Sequence, residues 1–125
     1  IPKRNMRCPD GCWSQRSCLR EGLSNTEKRH PHETAAALGN LVKYQEALNA
    51  GVESANIQAG FVHREPQGVV AIDQKGAKGG TRQTRLYTYA LAIGRVLHLI
   101  TIGDKNSQSR DLKDCREFID TLRKE

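Results

Sequence analysis

Residues 82–90 and 95–103 are rich in β-branched, aromatic and leucine side chains, lack Pro, and flank a short turn at 91–94 in which Gly94 supplies the reversal. That is the signature of a β-hairpin, and it limits the fold more than any other stretch. Strict alternation places Arg85, Tyr87 and Tyr89 on one face of the first strand and Thr84, Leu86 and Thr88 on the other. The second strand is apolar at nearly every position, which predicts a central strand covered on both faces.

Helical periodicity appears on both sides of this hairpin. Leu38, Leu41, Val42, Gln45 and Leu48 recur at spacings of three and four, predicting a helix over 33–50 with Glu33 at its positive end and Gly51 as its stop. A shorter helix is predicted over 54–64, capped by Ser54, with Ile57, Phe61 and Val62 as its apolar face and Pro66 ending it. His63 reads as a surface residue of that helix. Residues 68–72 read as a strand, and 73–81 as an irregular glycine-rich loop without the Gly-Lys-Ser/Thr order of a Walker motif. A final helix is predicted from Ser107 or Ser109 to about residue 122, with Leu112, Cys115, Ile119 and Leu122 on one face. Residues 1–30 show no lasting period and few large apolar anchors, so they are expected to be disordered, with the domain covering 31–125.

Charge is unevenly distributed. Residues 75–95 hold five basic side chains and no acidic one, within a chain of formal charge +6. A local excess of this kind suits a polyanion, because phosphate electrostatics dominate nucleic-acid affinity. The plainer reading is a solvated surface. No apolar run approaches a membrane span and no secretory h-region is present, which predicts a soluble, cytoplasmic protein. Cys8, Cys12 and Cys18, with His30 and His32 downstream, are the right types for a tetrahedral zinc site, but their spacing is not the tight pair of a zinc knuckle. Free thiols are therefore expected, with Cys115 acting as a small apolar core residue.

Residues 97–112, Leu-His-Leu-Ile-Thr-Ile-Gly-Asp-Lys-Asn-Ser-Gln-Ser-Arg-Asp-Leu, and the arginine–aromatic stretch 84–89, Thr-Arg-Leu-Tyr-Thr-Tyr, carry a resemblance. Residues 81–122 resemble the RelE/ParE superfamily of bacterial toxins from toxin–antitoxin modules, in particular its addiction-module killer proteins. The resemblance implies an α+β fold: a helical pair, a three- to four-stranded mostly antiparallel sheet and a C-terminal helix. It also implies a metal-independent, ribosome-dependent mRNA endonuclease that inhibits translation, without a cofactor, with mRNA on the ribosome and a cognate antitoxin as partners. Fixed cations would stabilise the charge that develops on phosphorus.

By position, Arg85 matches the family's strand arginine and Lys105 the basic residue after the last strand. Tyr87 and His98 are the candidate acid/base groups, although a mid-strand histidine is commonly a core residue. Lys75, Lys78, Arg82, Arg95 and Arg110 form the candidate nucleic-acid-binding set. The chain departs from the family in having no Tyr after Tyr89, with Arg110 and Asp111 at the start of the last helix instead. A gyrase-directed toxin, or a basic interaction module of the same fold without nuclease activity, is the alternative.

Overall fold

A computed structural model of the chain describes residues 12–76 and 84–124. It is an α+β fold with a five-stranded mixed sheet. The elements in chain order are β1 (Ser14–Ser17), α1 (Arg20–Arg29), α2 (Pro31–Asn49), β2 (Val62–Arg64), β3 (Val69–Asp73), β4 (Thr84–Leu91), β5 (Val96–Asp104) and α3 (Gln108–Lys124). The sheet order is β1-β5-β4-β3-β2. β1 runs parallel to β5, and every other pairing is antiparallel.

The hairpin of β4 and β5 is the centre, as its sequence pattern requires. One face of the sheet packs Val70, Ile72, Leu86, Leu97 and Leu99 against Leu41, Tyr44 and Leu48 of α2 and against Leu19 before α1. On the other face Val69, Ala71, Tyr87 and Ile100 meet Cys115 and Ile119 of α3. β5 is therefore covered on both faces. A register shift at Tyr87/Thr88 lets β5 carry an extra residue, since Tyr87 pairs with Thr101 while Thr88 pairs with Leu99.

α2 begins with Pro31 at its start and Glu33 in its first turn, and buries Ala37, Leu41, Tyr44 and Leu48 at helical spacing. It ends before Gly51, whose φ of 96° suits glycine. Asn40, on the buried side, donates to the carbonyls of Asp73 and Lys75, both at 3.0 Å. These bonds pin the end of β3 to α2.

The sheet has five strands rather than three or four, because β1 adds a parallel edge and β2 an antiparallel one, and three further expectations are corrected. Residues 14–17 and 20–29, expected to be disordered, form β1 and α1. β1 has no apolar pattern and all four of its residues are exposed. It is a strand because β5 supplies the backbone partners: Ser14 N–H donates to Arg95 O at 3.0 Å, and Cys18 N–H to Leu99 O at 2.9 Å. α2 holds its start, through Asn49 Oδ1 accepting from Trp13 N–H at 2.8 Å and Gln45 donating to Trp13 O at 2.9 Å.

The predicted helix 54–64 is instead a single 3-10 turn, Ser54–Asn56, followed by the edge strand β2. Its apolar face was too thin to hold a helix against the sheet. Arg64 closes the connection by donating to the carbonyls of Ser54, Ala55 and Ile57. The helical pair is thus α1 and α2, earlier in the chain than expected.

The cysteines also differ from expectation. Cys12 is disulfide-bonded. Cys18 and Cys115 are free, and burial pushes the Cys115 thiol up to about 12. Cys8 lies outside the described residues, among which no group of three or more metal-ligating side chains occurs. No helix among the described residues is long and apolar enough to cross a membrane.

Candidate nucleic-acid-binding cleft

β5 leaves the sheet between two helices. α1 ends beside it on one face with Lys28 and Arg29 in its last turn, where cations suit the helix dipole. α3 starts beside it on the other face after one 3-10 turn, Lys105–Ser107. The two helix ends and the strand end enclose a cleft of about 470 Å³, lined by Thr26, Lys28, Arg29, His30, Ile102, Gly103, Asp104, Ser107 and Arg110. Lys28, Arg29 and Arg110 are exposed, and Lys105 stands exposed next to Asp104. Among the described residues of the lining, Asp104 is the one carboxylate against these cations.

Asp104 organises the cleft. Its Oδ1 accepts from Asn106 N–H at 2.9 Å and Ser107 N–H at 3.3 Å, while Ser107 Oγ accepts from Asp104 N–H at 3.0 Å. This capping box turns the chain from strand to helix. Its other oxygen, Oδ2, lies 3.3 Å from His30 Nε2. Burial opposes ionisation of Asp104, but the His30 hydrogen bond and the two backbone N–H groups outweigh it. The carboxyl is held below its ordinary value.

Behind the cleft, Ser107 Oγ also donates to Asp111 Oδ2 at 2.7 Å. Asp111 is 2% exposed, and burial raises its carboxyl above the ordinary value despite that bond. A Cβ on Gly103 would overlap both Asp111 Oδ2 and Ser107 Oγ, so the strand end passes under the helix start only as glycine.

The residues expected from sequence fall in different places. Lys105 and Arg110 stand at or beside the cleft. Arg85 and Tyr87 are brought together, but on the α3 side of the sheet. There Arg85 pairs with Glu65 at 3.5 Å, both side chains largely buried. Tyr87 is fully buried among the residues under α3, and burial, reinforced by the charge of Asp111, raises its hydroxyl far above the ordinary value. Asp73 stands beside Arg85 in register, and His63 Nε2 lies 2.5 Å from Asp73 Oδ2. This corner holds Glu65, Asp73 and Asp111 against Arg85 and His63, an unfavourable balance for phosphate.

His98 is a core residue, 6% exposed with its ring edge-on to Phe118 at 5.2 Å. Arg95 is exposed in the turn at the opposite end of β5, about 30 Å from Lys105 at the usual rise of a strand. Lys75 is exposed beyond β3, with its side chain laid against Gly60. Lys78 and Arg82 lie outside the described residues.

Lys28, Arg29, Asp104 and Ser107 were not singled out from sequence as binding or catalytic residues, and His30 was weighed only as a zinc ligand beside the N-terminal cysteines. The only local signals were the basic end of α1 and the Gly-Asp-Lys turn. No family model matches the chain, and neither a curated protein nor a solved structure matches it.

Proposed function

We propose that the protein is a RelE/ParE-like toxin that acts on RNA in the cytoplasm, gripping its phosphates in the cleft between α1, β5 and α3. The observation that carries this reading is the convergence of exposed Lys28, Arg29 and Arg110, with Lys105 adjacent, around the end of one strand. Cations held on secondary structure around a groove suit a chain of phosphates, because each neutralised phosphate releases condensed counterions. Further support comes from the order of elements: a helical pair, an antiparallel meander and a C-terminal helix, preceded by a short first strand. Messenger RNA on the ribosome and a cognate antitoxin covering the basic face are the partners this reading entails.

The burial of Tyr87 and His98 favours a second reading, in which the fold binds RNA or an acidic partner without cleaving. The test is induced expression of wild type, Arg110→Ala, Lys105→Ala and Arg85→Ala, followed by growth, mRNA integrity on translating ribosomes, and single-stranded RNA binding by the purified proteins. The toxin reading expects growth arrest by wild type and relief in Arg110→Ala. Growth unaffected by wild type, with RNA binding intact, leaves the binding module. Absence of RNA binding overturns the toxin reading and leaves only an acidic partner for the second.

A further inference from the structure

The cleft holds one pair that phosphate binding alone does not use. His30 sits at the corner between α1 and α2, and Asp104 at the end of β5, with side chains 10% and 11% exposed. Asp104 is an ionised acceptor, doubly held by backbone N–H groups. Facing a carboxylate, His30 Nε2 is the nitrogen placed to donate, and in the neutral ring Nδ1 then holds the lone pair. A neutral histidine oriented by a partly buried carboxylate is suited to act as a base. The charged groups lining the cleft around it are Asp104, Lys28, Arg29 and Arg110.

We infer that His30 is a general base, positioned by Asp104, that cleaves an RNA strand held in the cleft by Lys28, Arg29 and Arg110. This rests on the reading that RNA phosphate occupies the cleft. His30 Nδ1 takes the proton of a 2′-hydroxyl. The 2′-oxygen attacks the adjacent phosphorus, and the P–O2′ bond forms. The P–O5′ bond breaks, and the departing 5′-oxygen takes a proton from water. His30 then returns its proton to solvent. The products are a 2′,3′-cyclic phosphate and a 5′-hydroxyl, with no oxidant, reductant or metal consumed. Lys28, Arg29 and Arg110 stabilise the negative charge that grows on the phosphoryl oxygens.

Asp104 touches His30 rather than substrate and is a positioning residue. Its removal alters the tautomer and therefore the pH dependence, which a merely structural carboxylate would not.

The experiment uses the full chain, a labelled single-stranded RNA, and the same RNA on translating ribosomes. Binding and cleavage are measured for wild type, His30→Gln, Asp104→Asn and, as a control outside the cleft, His63→Gln. Wild type is expected to cleave and leave a cyclic phosphate. His30→Gln is expected to bind within about threefold of wild type while cleaving roughly 100-fold or more slowly, the usual worth of a general base. Asp104→Asn is expected to slow cleavage and displace the pH–rate profile, and His63→Gln to leave both unchanged.

A 2′-deoxy substitution at the scissile nucleotide, tested on wild type, is expected to abolish cleavage without weakening binding. That measurement holds even where a variant fails to fold. RNA bound but not cleaved by wild type, full cleavage by a folded His30→Gln, or cleavage of the 2′-deoxy strand each overturns the base assignment and leaves the binding reading intact. RNA not bound at all overturns both.

Discussion

His30 Nε2 lies 3.3 Å from Asp104 Oδ2, across 74 residues of sequence. The pair joins the corner between α1 and α2 to the point where β5 becomes α3. It ties the helical face of the sheet to the start of the C-terminal helix, and it lies in the wall of the basic cleft.

Removing a cleft cation should weaken RNA binding more than removing an equally exposed cation elsewhere. Arg110→Ala and Arg29→Ala are expected to lower affinity about three- to tenfold and flatten the salt dependence by about 0.7 in log–log slope for each phosphate that is no longer neutralised. Arg95→Ala, at the far end of β5, is expected to change little. Fluorescence anisotropy across a salt series measures both quantities, and identical slopes for all three variants would contradict the cleft.

Asp104 and Asp111 should have opposite effects on stability as pH changes. The folded value of Asp104 lies below 3.8, so its stabilisation is present above that pH and is lost as pH falls through the folded value. Asp104→Asn is expected to destabilise the fold at pH 7 and progressively less in acid. Asp111 is raised, so its ionisation costs stability as pH climbs above 3.8. Asp111→Asn is expected to be neutral or stabilising at pH 7. Urea titrations at several pH values compare the two, and a loss of stability at pH 7 in both would refute the opposition.

Gly103→Ala should destabilise the fold by about 1–3 kcal/mol, since the new methyl group enters space held by Asp111 and Ser107. Gly76→Ala is no substitute control, because its φ of 102° strains any side chain. Gly39→Ala serves instead, for a Cβ there meets nothing within 4 Å. Thermal unfolding of the two variants should separate them.

Tyr87→Phe is expected to leave stability unchanged or improve it by about 1 kcal/mol. The Tyr87 hydroxyl is buried without a hydrogen-bond partner among the described residues, so its removal relieves a desolvated group. RNA binding and cleavage should be unaffected. A large fall in cleavage by a folded Tyr87→Phe protein would return the active centre to the face under α3.

Sequence alone determined the elements whose signal is local. The β4–β5 hairpin, α2 and α3 lie close to where period-two and period-3.6 patterns placed them, because one face of each carries the apolar residues that must be buried. Arg85, Tyr87 and Lys105 were legible as members of that hairpin and its exit. Tertiary structure decided the rest. Ser14–Ser17 is polar and wholly exposed, and only the free edge of β5 makes it a strand. Residues 62–64 pair with β3 because that edge also needs hydrogen-bond partners, and no local period encodes it. The cleft is legible only in three dimensions, since His30 and Asp104 belong to segments with no common periodicity. Burial under α3 removed Tyr87 from solvent, and the Glu65 carboxylate neutralised Arg85; neither fact is contained in the strand's own alternation. Periodicity reports which face of an element is buried, whereas the partner that buries it, and the charge that partner brings, come from residues far away in the chain.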